Sequence, residues 1–184
     1  MRPMFAAGLA AVLLLPHTPL LREAGKAAPA AAVIVIETAK GIIEIETFDD
    51  APKSTERFVE LARKGFYRGQ RFHWVQPGIV QTGDPLSRDL TKRAEWGTGG
   101  SGPKMAIKPI GVAETSKRKF ERGIVGYAYR TDRKAETADS QFFILTGANP
   151  ALNGKYAPLG KVTKGMEVVD KLEVGDSLKN VTVR

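Results

Sequence analysis

Few side chains in this 184-residue sequence are suited to covalent chemistry. There is no cysteine, and of the two histidines His17 lies in an apolar leader, which leaves His73. A Ser–His–acid relay would have to run through that imidazole. His73 stands between Phe72 and Trp74, however, and no nucleophile-elbow sequence occurs anywhere, so it reads as a structural histidine. One histidine without thiolates also leaves a catalytic zinc ion short of ligands. Residues 97–102 spell Gly-x-Gly-x-x-Gly, but a dinucleotide fingerprint needs a strand before it and a helix after it. Here Pro103 follows at once, and the segment reads as a glycine-rich turn. The net charge of +8, from 28 Lys and Arg against 20 Asp and Glu, concentrates at residues 88–93 and 117–122. Neither run carries the interleaved aromatic residues of a nucleic-acid platform, so both read as solvated faces and no nucleic acid is expected as a partner. These exclusions remove several chemistries and by themselves name no function.

The elements that must position such a site are mostly short strands. Residues 33–38 and 42–47 flank Ala39-Lys40-Gly41 as a hairpin, with Ile43 and Ile45 on one face and Glu44 and Glu46 on the other. Residues 50–65 read as a helix with Asp50 as N-cap, Pro52 in the first turn, Gly65 as terminator, and Phe58, Leu61 and Ala62 as its apolar stripe. Strand-like runs follow at 71–75, 79–82, 123–129 and 141–145. Residues 165–172 then have helical spacing, and 181–183 can close a sheet. Many short strands with two helices indicate an antiparallel barrel or sandwich.

The N-terminus has a different character. One positive charge precedes the eleven-residue apolar run at 5–15, and an Ala- and Pro-rich stretch follows. This is the layout of a secretory signal peptide. The run spans about 16 Å as a helix, against a hydrocarbon core of about 30 Å. Residues 1–30 are therefore expected to be a signal peptide, cleaved near Ala30 or Ala32, with the domain at 31–184. An uncleaved anchor or a misassigned start are the other readings. The mature protein is expected to be periplasmic or secreted, monomeric, and without stable membrane insertion.

A series of segments in fixed order resembles the cyclophilin family of peptidyl-prolyl isomerases. They are Asp50-Ala-Pro-Lys-Ser54, Gly65-Phe-Tyr-x-Gly-x-x-Phe-His73, Gln81-Thr-Gly-Asp84, Gly97-Thr-Gly-Gly100, Asp139-Ser-Gln-Phe-Phe-Ile144, Leu152-Asn-Gly-Lys-Tyr156, and the stretch from Leu159 to Asp170. The resemblance implies a mainly β fold, an eight-stranded antiparallel barrel capped by two α-helices. It also implies isomerisation of Xaa-Pro bonds in proline-containing polypeptide segments, with no cofactor. That reaction breaks no covalent bond; it crosses a rotation barrier of about 18–20 kcal/mol set by amide resonance. Desolvating the imide and hydrogen-bonding its twisted form lowers this barrier.

By the same resemblance Gln141 is the substrate-holding glutamine and Phe143 the floor of the proline pocket. The two lie two apart in a strand and so share a face. Gln81, Ala128 and Leu152 match further substrate contacts, and Gly99 and Gly100 match the turn beside a secondary pocket. Tyr129 stands where many members have Asn, Ala151 where some have Trp, and Tyr156 where some have His. The departures centre on Phe72-His73-Trp74, where the family has Phe-His-Arg with the arginine donating to the proline nitrogen. The segment from Pro77 to Gln81 is one residue short and lacks a pocket Phe, so Ile79 and Val80 are expected to supply that wall. Trp74 offers one neutral N–H and no charge. A charged donor is worth about 1.5–3 kcal/mol, so its loss corresponds to about ten- to a few hundred-fold in rate. Arg68, Arg71 and Arg130 lie near enough in sequence to be considered as replacements, although alternation directs Arg71 to the opposite face. The expected function is thus an extracytoplasmic isomerase with reduced catalysis. The alternative is a catalytically impaired peptide-binding or chaperone module.

Overall fold

The computed structural model describes residues 31–129 and 134–184; the expected signal peptide and Arg130 lie outside the described residues. Strands β1 (Val33–Glu37) and β2 (Ile42–Thr47) form the anticipated hairpin, with Ile34 opposite Ile45 and Ile36 opposite Ile43. Paired residues project to the same side of a sheet, so these four isoleucines form one fully buried patch.

Helix α1 (Pro52–Arg63) turns Phe58, Leu61 and Ala62 inward. Its C-terminus is closed by Gly65 in a left-handed conformation (φ +68°), whose N–H donates to the Ala62 carbonyl at 3.0 Å. The next N–H, of Phe66, reaches back to the Leu61 carbonyl at 3.0 Å and completes a Schellman motif. The N-terminus differs from expectation. Asp50 does not cap it; its carboxylate pairs with Arg118, and Ala51 occupies the cap position without a side-chain hydrogen bond. Glu114 does the work from about sixty residues away, its two oxygens accepting the Lys53 N–H at 3.0 Å and the Ser54 N–H at 2.7 Å.

The remaining elements are β3 (Trp74–Gln76), β4 (Ile79–Thr82), β5 (Ile124–Tyr127), β6 (Phe142–Leu145), β7 (Pro158–Lys164), α2 (Met166–Val169) and β8 (Asn180–Val183). Together the strands make one antiparallel eight-stranded sheet in the order β3-β4-β6-β5-β7-β2-β1-β8. Its first and last strands are drawn together by a bridge between Arg71 and Ser177. The Phe72 N–H donates to the Asp176 carbonyl at 2.9 Å, and the Gly175 N–H donates to the Phe72 carbonyl at 2.9 Å. This closure explains why β3 starts at Trp74 and not at Arg71: residues 71 and 72 pair with the segment before β8. The second helix is shorter than its spacing suggested, a single turn after left-handed Gly165, and it buries Val168 and Val169.

Inside the barrel, Phe58 of α1 meets the ring of Phe142 at 4.9 Å between centroids and that of Tyr67 at 5.7 Å, both edge-on. Val80, Val125 and Ile144 fill the same interior. Replacing a side-chain cap by Ala typically costs about 0.5–2 kcal/mol. Glu114→Ala is therefore expected to lower urea stability by about 1 kcal/mol, and an unchanged midpoint would contradict the remote cap.

Candidate functional site

Strand register sorts the candidate residues. Trp74 pairs with Gln81, Gln81 with Phe143, and Phe143 with Gly126, so one row runs across β3, β4, β6 and β5. The row beside it contains Gln76, Ile79 and Leu145. Both face outward from the barrel. The intervening row, Val75, Val80, Ile144 and Val125, has the opposite parity and points into the core. Val80 therefore does not join Ile79 in a pocket wall, because adjacent strand residues project to opposite faces.

The outward face divides into an apolar and a polar half. Phe143 is the centre of the first, packed with Phe120, Leu145 and Ala128, while Ile79, Leu152 and Tyr156 close around it partly buried. The Tyr156 ring meets Phe143 edge-on at 5.5 Å and stacks on Tyr129 at 4.6 Å. Phe143 can lie flat here because its cross-strand neighbour is Gly126, where any Cβ would overlap the ring. Ala151, beside Leu152, is exposed.

Gln141 organises the polar half. Its Nε2 donates to the carbonyls of Gly97 at 3.0 Å and Gly99 at 2.9 Å, and its Oε1 accepts from Gln81 Nε2 at 2.9 Å. A primary amide has two N–H donors, and both are committed. Gln141 is 8% exposed, and its carboxamide is held in a single orientation. The glycine loop that holds it is held in turn by two buried carboxylates. Asp84 accepts the N–H groups of Gly97, Gly99 and Leu86, and Asp139 accepts those of Ser101 at 2.6 Å and Lys108 at 2.8 Å.

Beside this network lies a cavity of about 410 Å³, bounded by Gln81, Thr98, Ile107, Ala128, Tyr129 and Gln141. The loop contributes Gly97 and Thr98 to its wall. Gly99 and Gly100, expected to border a secondary pocket, are buried behind that wall. A Cβ on Gly99 would overlap the Asp84 carboxylate, and one on Gly100 would overlap that of Asp139. Their small size serves the carboxylates beneath the loop.

Trp74 is 44% exposed and shares the face of its partner Gln81. Several guanidinium groups are engaged elsewhere: Arg71 donates to the Gly175 carbonyl at 2.8 Å, Arg88 to the Phe66 carbonyl, and Arg122 pairs with Asp170. Arg68 has an exposed side chain, and its backbone carbonyl accepts from Arg88 at 3.1 Å. His73 is tucked beneath Gly97, and neither ring nitrogen has a hydrogen-bond partner. Burial holds its pKa below the usual histidine value, against the opposing influence of the Asp84 charge.

The structure thus gathers Trp74, Ile79, Gln81, Ala128, Tyr129, Gln141, Phe143, Leu152 and Tyr156 on one surface. Thr98, Ile107 and the bracing carboxylates Asp84 and Asp139 were not anticipated as parts of it. The two aspartates do flank the Gln-Thr-Gly and Ser-Gln-Phe-Phe segments in sequence, which was the available signal.

Comparison with known proteins places this arrangement. The family model for cyclophilin type peptidyl-prolyl cis-trans isomerase/CLD matches residues 33–184. A probable peptidyl-prolyl cis-trans isomerase of Brucella abortus is 37% identical over 167 residues, covering 88% of this chain and 82% of that protein. Peptidyl-prolyl cis-trans isomerase B of Bacillus subtilis is 36% identical over 142 residues, covering 77% and 90% respectively. Among solved structures, a cyclophilin type peptidyl-prolyl cis-trans isomerase of Cryptosporidium parvum superposes with a TM-score of 0.68 at 27% identity, over 84% of this chain and 97% of that one. The same protein in the presence of the dipeptide Ala-Pro gives a TM-score of 0.63 at 26% identity, over 82% of this chain and 96% of that one.

The buried ring nitrogens of His73 have a measurable consequence. With its folded pKa depressed below the unfolded value of 6.5, the unfolded chain takes up a proton that the folded protein resists. Its contribution to stability is fully present above 6.5 and declines as pH falls from there toward the folded value. Urea midpoints measured across that range should fall on acidification, and His73→Phe should flatten this portion of the profile. An unaltered profile in the variant would assign the slope to other groups.

Proposed function

The chain belongs to the cyclophilin-type peptidyl-prolyl cis-trans isomerase family, and on that premise we propose that it is an exported folding assistant whose turnover is lowered by Trp74. The observation that carries this reading is the joining, on one sheet face, of the Phe143 apolar basin and the fixed Gln81–Gln141 amide pair beside an exposed indole. The basin receives the proline ring and strips water from the imide. The twisted imide has lost resonance, so its nitrogen becomes a better acceptor and responds to a donor more than the planar ground state does. At the position of the family's donor this chain presents an indole N–H without a positive charge.

The proposed substrates are proline-containing segments of extracytoplasmic polypeptides. The Ala-Pro dipeptide present with the Cryptosporidium parvum relative supports that substrate class. Export of the domain is supported by the leader composition of residues 1–30. Trp74 also favours a second reading, in which the face binds proline-containing segments without turning them over.

Exchange NMR on an Xaa-Pro peptide separates the two readings. The parent protein is expected to exceed the uncatalysed rate, and Trp74→Arg to raise kcat/KM by more than about tenfold while peptide affinity changes little. A parent rate equal to the uncatalysed one would leave the binding module. Equal activity in parent and variant would show that position 74 is not the catalytic slot.

A further inference from the structure

Arg57 belongs to α1 and not to the face that carries Trp74, Gln81 and Phe143, yet its guanidinium reaches beneath the glycine loop. Its Nη2 donates to the Ser101 hydroxyl and lies 3.4 Å from Asp139 Oδ1, while Nη1 donates to Glu60 at 3.0 Å. The Ser101 hydroxyl in turn donates to Asp139 Oδ1. Asp139 is 3% exposed and immediately precedes Ser140 and Gln141. Its other oxygen accepts the backbone N–H groups of Ser101 and Lys108, which belong to the two loop segments that wall the cavity.

Three strips of chain therefore meet at one carboxylate: the glycine loop, the segment around Lys108, and the approach to β6. A buried carboxylate left without a cation is costly, and deleting one member of such a pair strands the other. Arg57 supplies the positive charge, and it bonds the loop and the carboxylate at once. The displacement that its loss would cause has a defined route. Ser101 lies two residues beyond Gly99, whose carbonyl holds the Gln141 amide, and Asp139 lies two residues before Gln141 itself.

We propose that Arg57 is a positioning residue of the isomerase site: by joining Asp139 to Ser101 it sets the Gly97 and Gly99 carbonyls that clamp the Gln141 carboxamide. The proposal rests on the isomerase reading for its effect on rate, but the clamp can be observed without turnover. Glu60 is the other partner of Arg57, half-exposed and also paired with Lys64, and it has no part in this route.

The test compares Arg57→Met, Arg57→Lys, Ser101→Ala and Glu60→Gln in the full chain by three measurements. These are kcat/KM on an Xaa-Pro peptide, urea stability, and NMR of the Gln141 side-chain amide with the Gly97 and Gly99 backbone amides. Arg57→Met should shift those resonances and lower kcat/KM by about ten- to a hundred-fold, as sub-ångström to ångström misplacements of catalytic groups do. Arg57→Lys, which keeps the charge, should recover most of both. Ser101→Ala should move the same resonances in the same direction, and it decides the matter if Arg57→Met does not fold. Glu60→Gln should leave activity and resonances unchanged. Unmoved Gln141 and glycine resonances in a folded Arg57→Met protein would overturn the proposal. So would equal losses in the Met and Lys variants that simply follow stability. Should the parent protein fail to accelerate isomerisation, the isomerase reading falls, while the resonances still decide whether Arg57 sets the clamp.

Discussion

Residues 97–109 pass alongside the cavity without belonging to any strand, and their backbone N–H groups must nevertheless be satisfied where they are buried. Some bonds are internal to the loop, such as Gly100 N–H to the Met105 carbonyl at 2.7 Å. Four more, those of Gly97, Gly99, Ser101 and Lys108, end on the carboxylates of Asp84 and Asp139, which substitute for the missing neighbouring strand. An unsatisfied buried donor costs about 1–3 kcal/mol, so these two side chains decide whether the loop has one conformation or several. Everything polar at the site follows from that. The Gly97 and Gly99 carbonyls can hold the Gln141 amide only because their own N–H groups are tied down from behind. The glycines themselves are dictated by the same constraint, since the carboxylates lie where a Cβ at residues 99 and 100 would stand.

Strand parity supplies the other organising rule. The same four strands present Val75, Val80, Ile144 and Val125 to the barrel interior and Trp74, Gln81, Phe143 and Gly126 to the outside. The outward row would be unremarkable as a solvated surface, but the segments after β5 and β6 fold over it and bury most of its apolar half. Phe143 and Gln141, two residues apart on the same strand, therefore work in different surroundings within one surface. The aromatic ring is packed edge-on against Tyr156, and the carboxamide sits in a cage of backbone carbonyls. An apolar basin beside a preorganised polar wall suits a substrate that has an apolar ring fused to an amide.

What could be read from sequence was whatever depends on neighbours along the chain. The hairpin at Val33 to Thr47 and the shared face of Gln141 and Phe143 follow from a period of two residues, and the Gly65 terminator from the left-handed conformation open to glycine. Pairings across long sequence separations were illegible. Asp50 has the right chemistry and position for an N-cap, but Arg118 takes it and Glu114 arrives from another loop. The segment is one residue short of the related pattern, which groups Val80 with Ile79 in sequence. The strand stays continuous through Val80, so parity sends it into the core. The glycine content of residues 97–102 reports a turn, yet which of its residues face the cavity depends on Asp84 and Asp139 beneath it, and no local pattern reports that contact.

The arrangement also bears on how binding and turnover separate in a site of this kind. Gripping the planar and twisted imides equally lowers the free energy of both and leaves the barrier between them unchanged. The Phe143 basin acts largely in this uniform way, because the proline ring is the same in both states. Only a group that favours the twisted nitrogen contributes differentially. The carboxylates near the site are spent on backbone donors and, for Asp139, on Arg57. Both donors of Gln141 are spent as well. On the proposed reading the differential work then falls to neutral N–H groups at the rim and to desolvation. On that reading such a face keeps its grip on proline-containing chains with a smaller share of it converted into rate, which is the balance proposed for Trp74 in place of a cation.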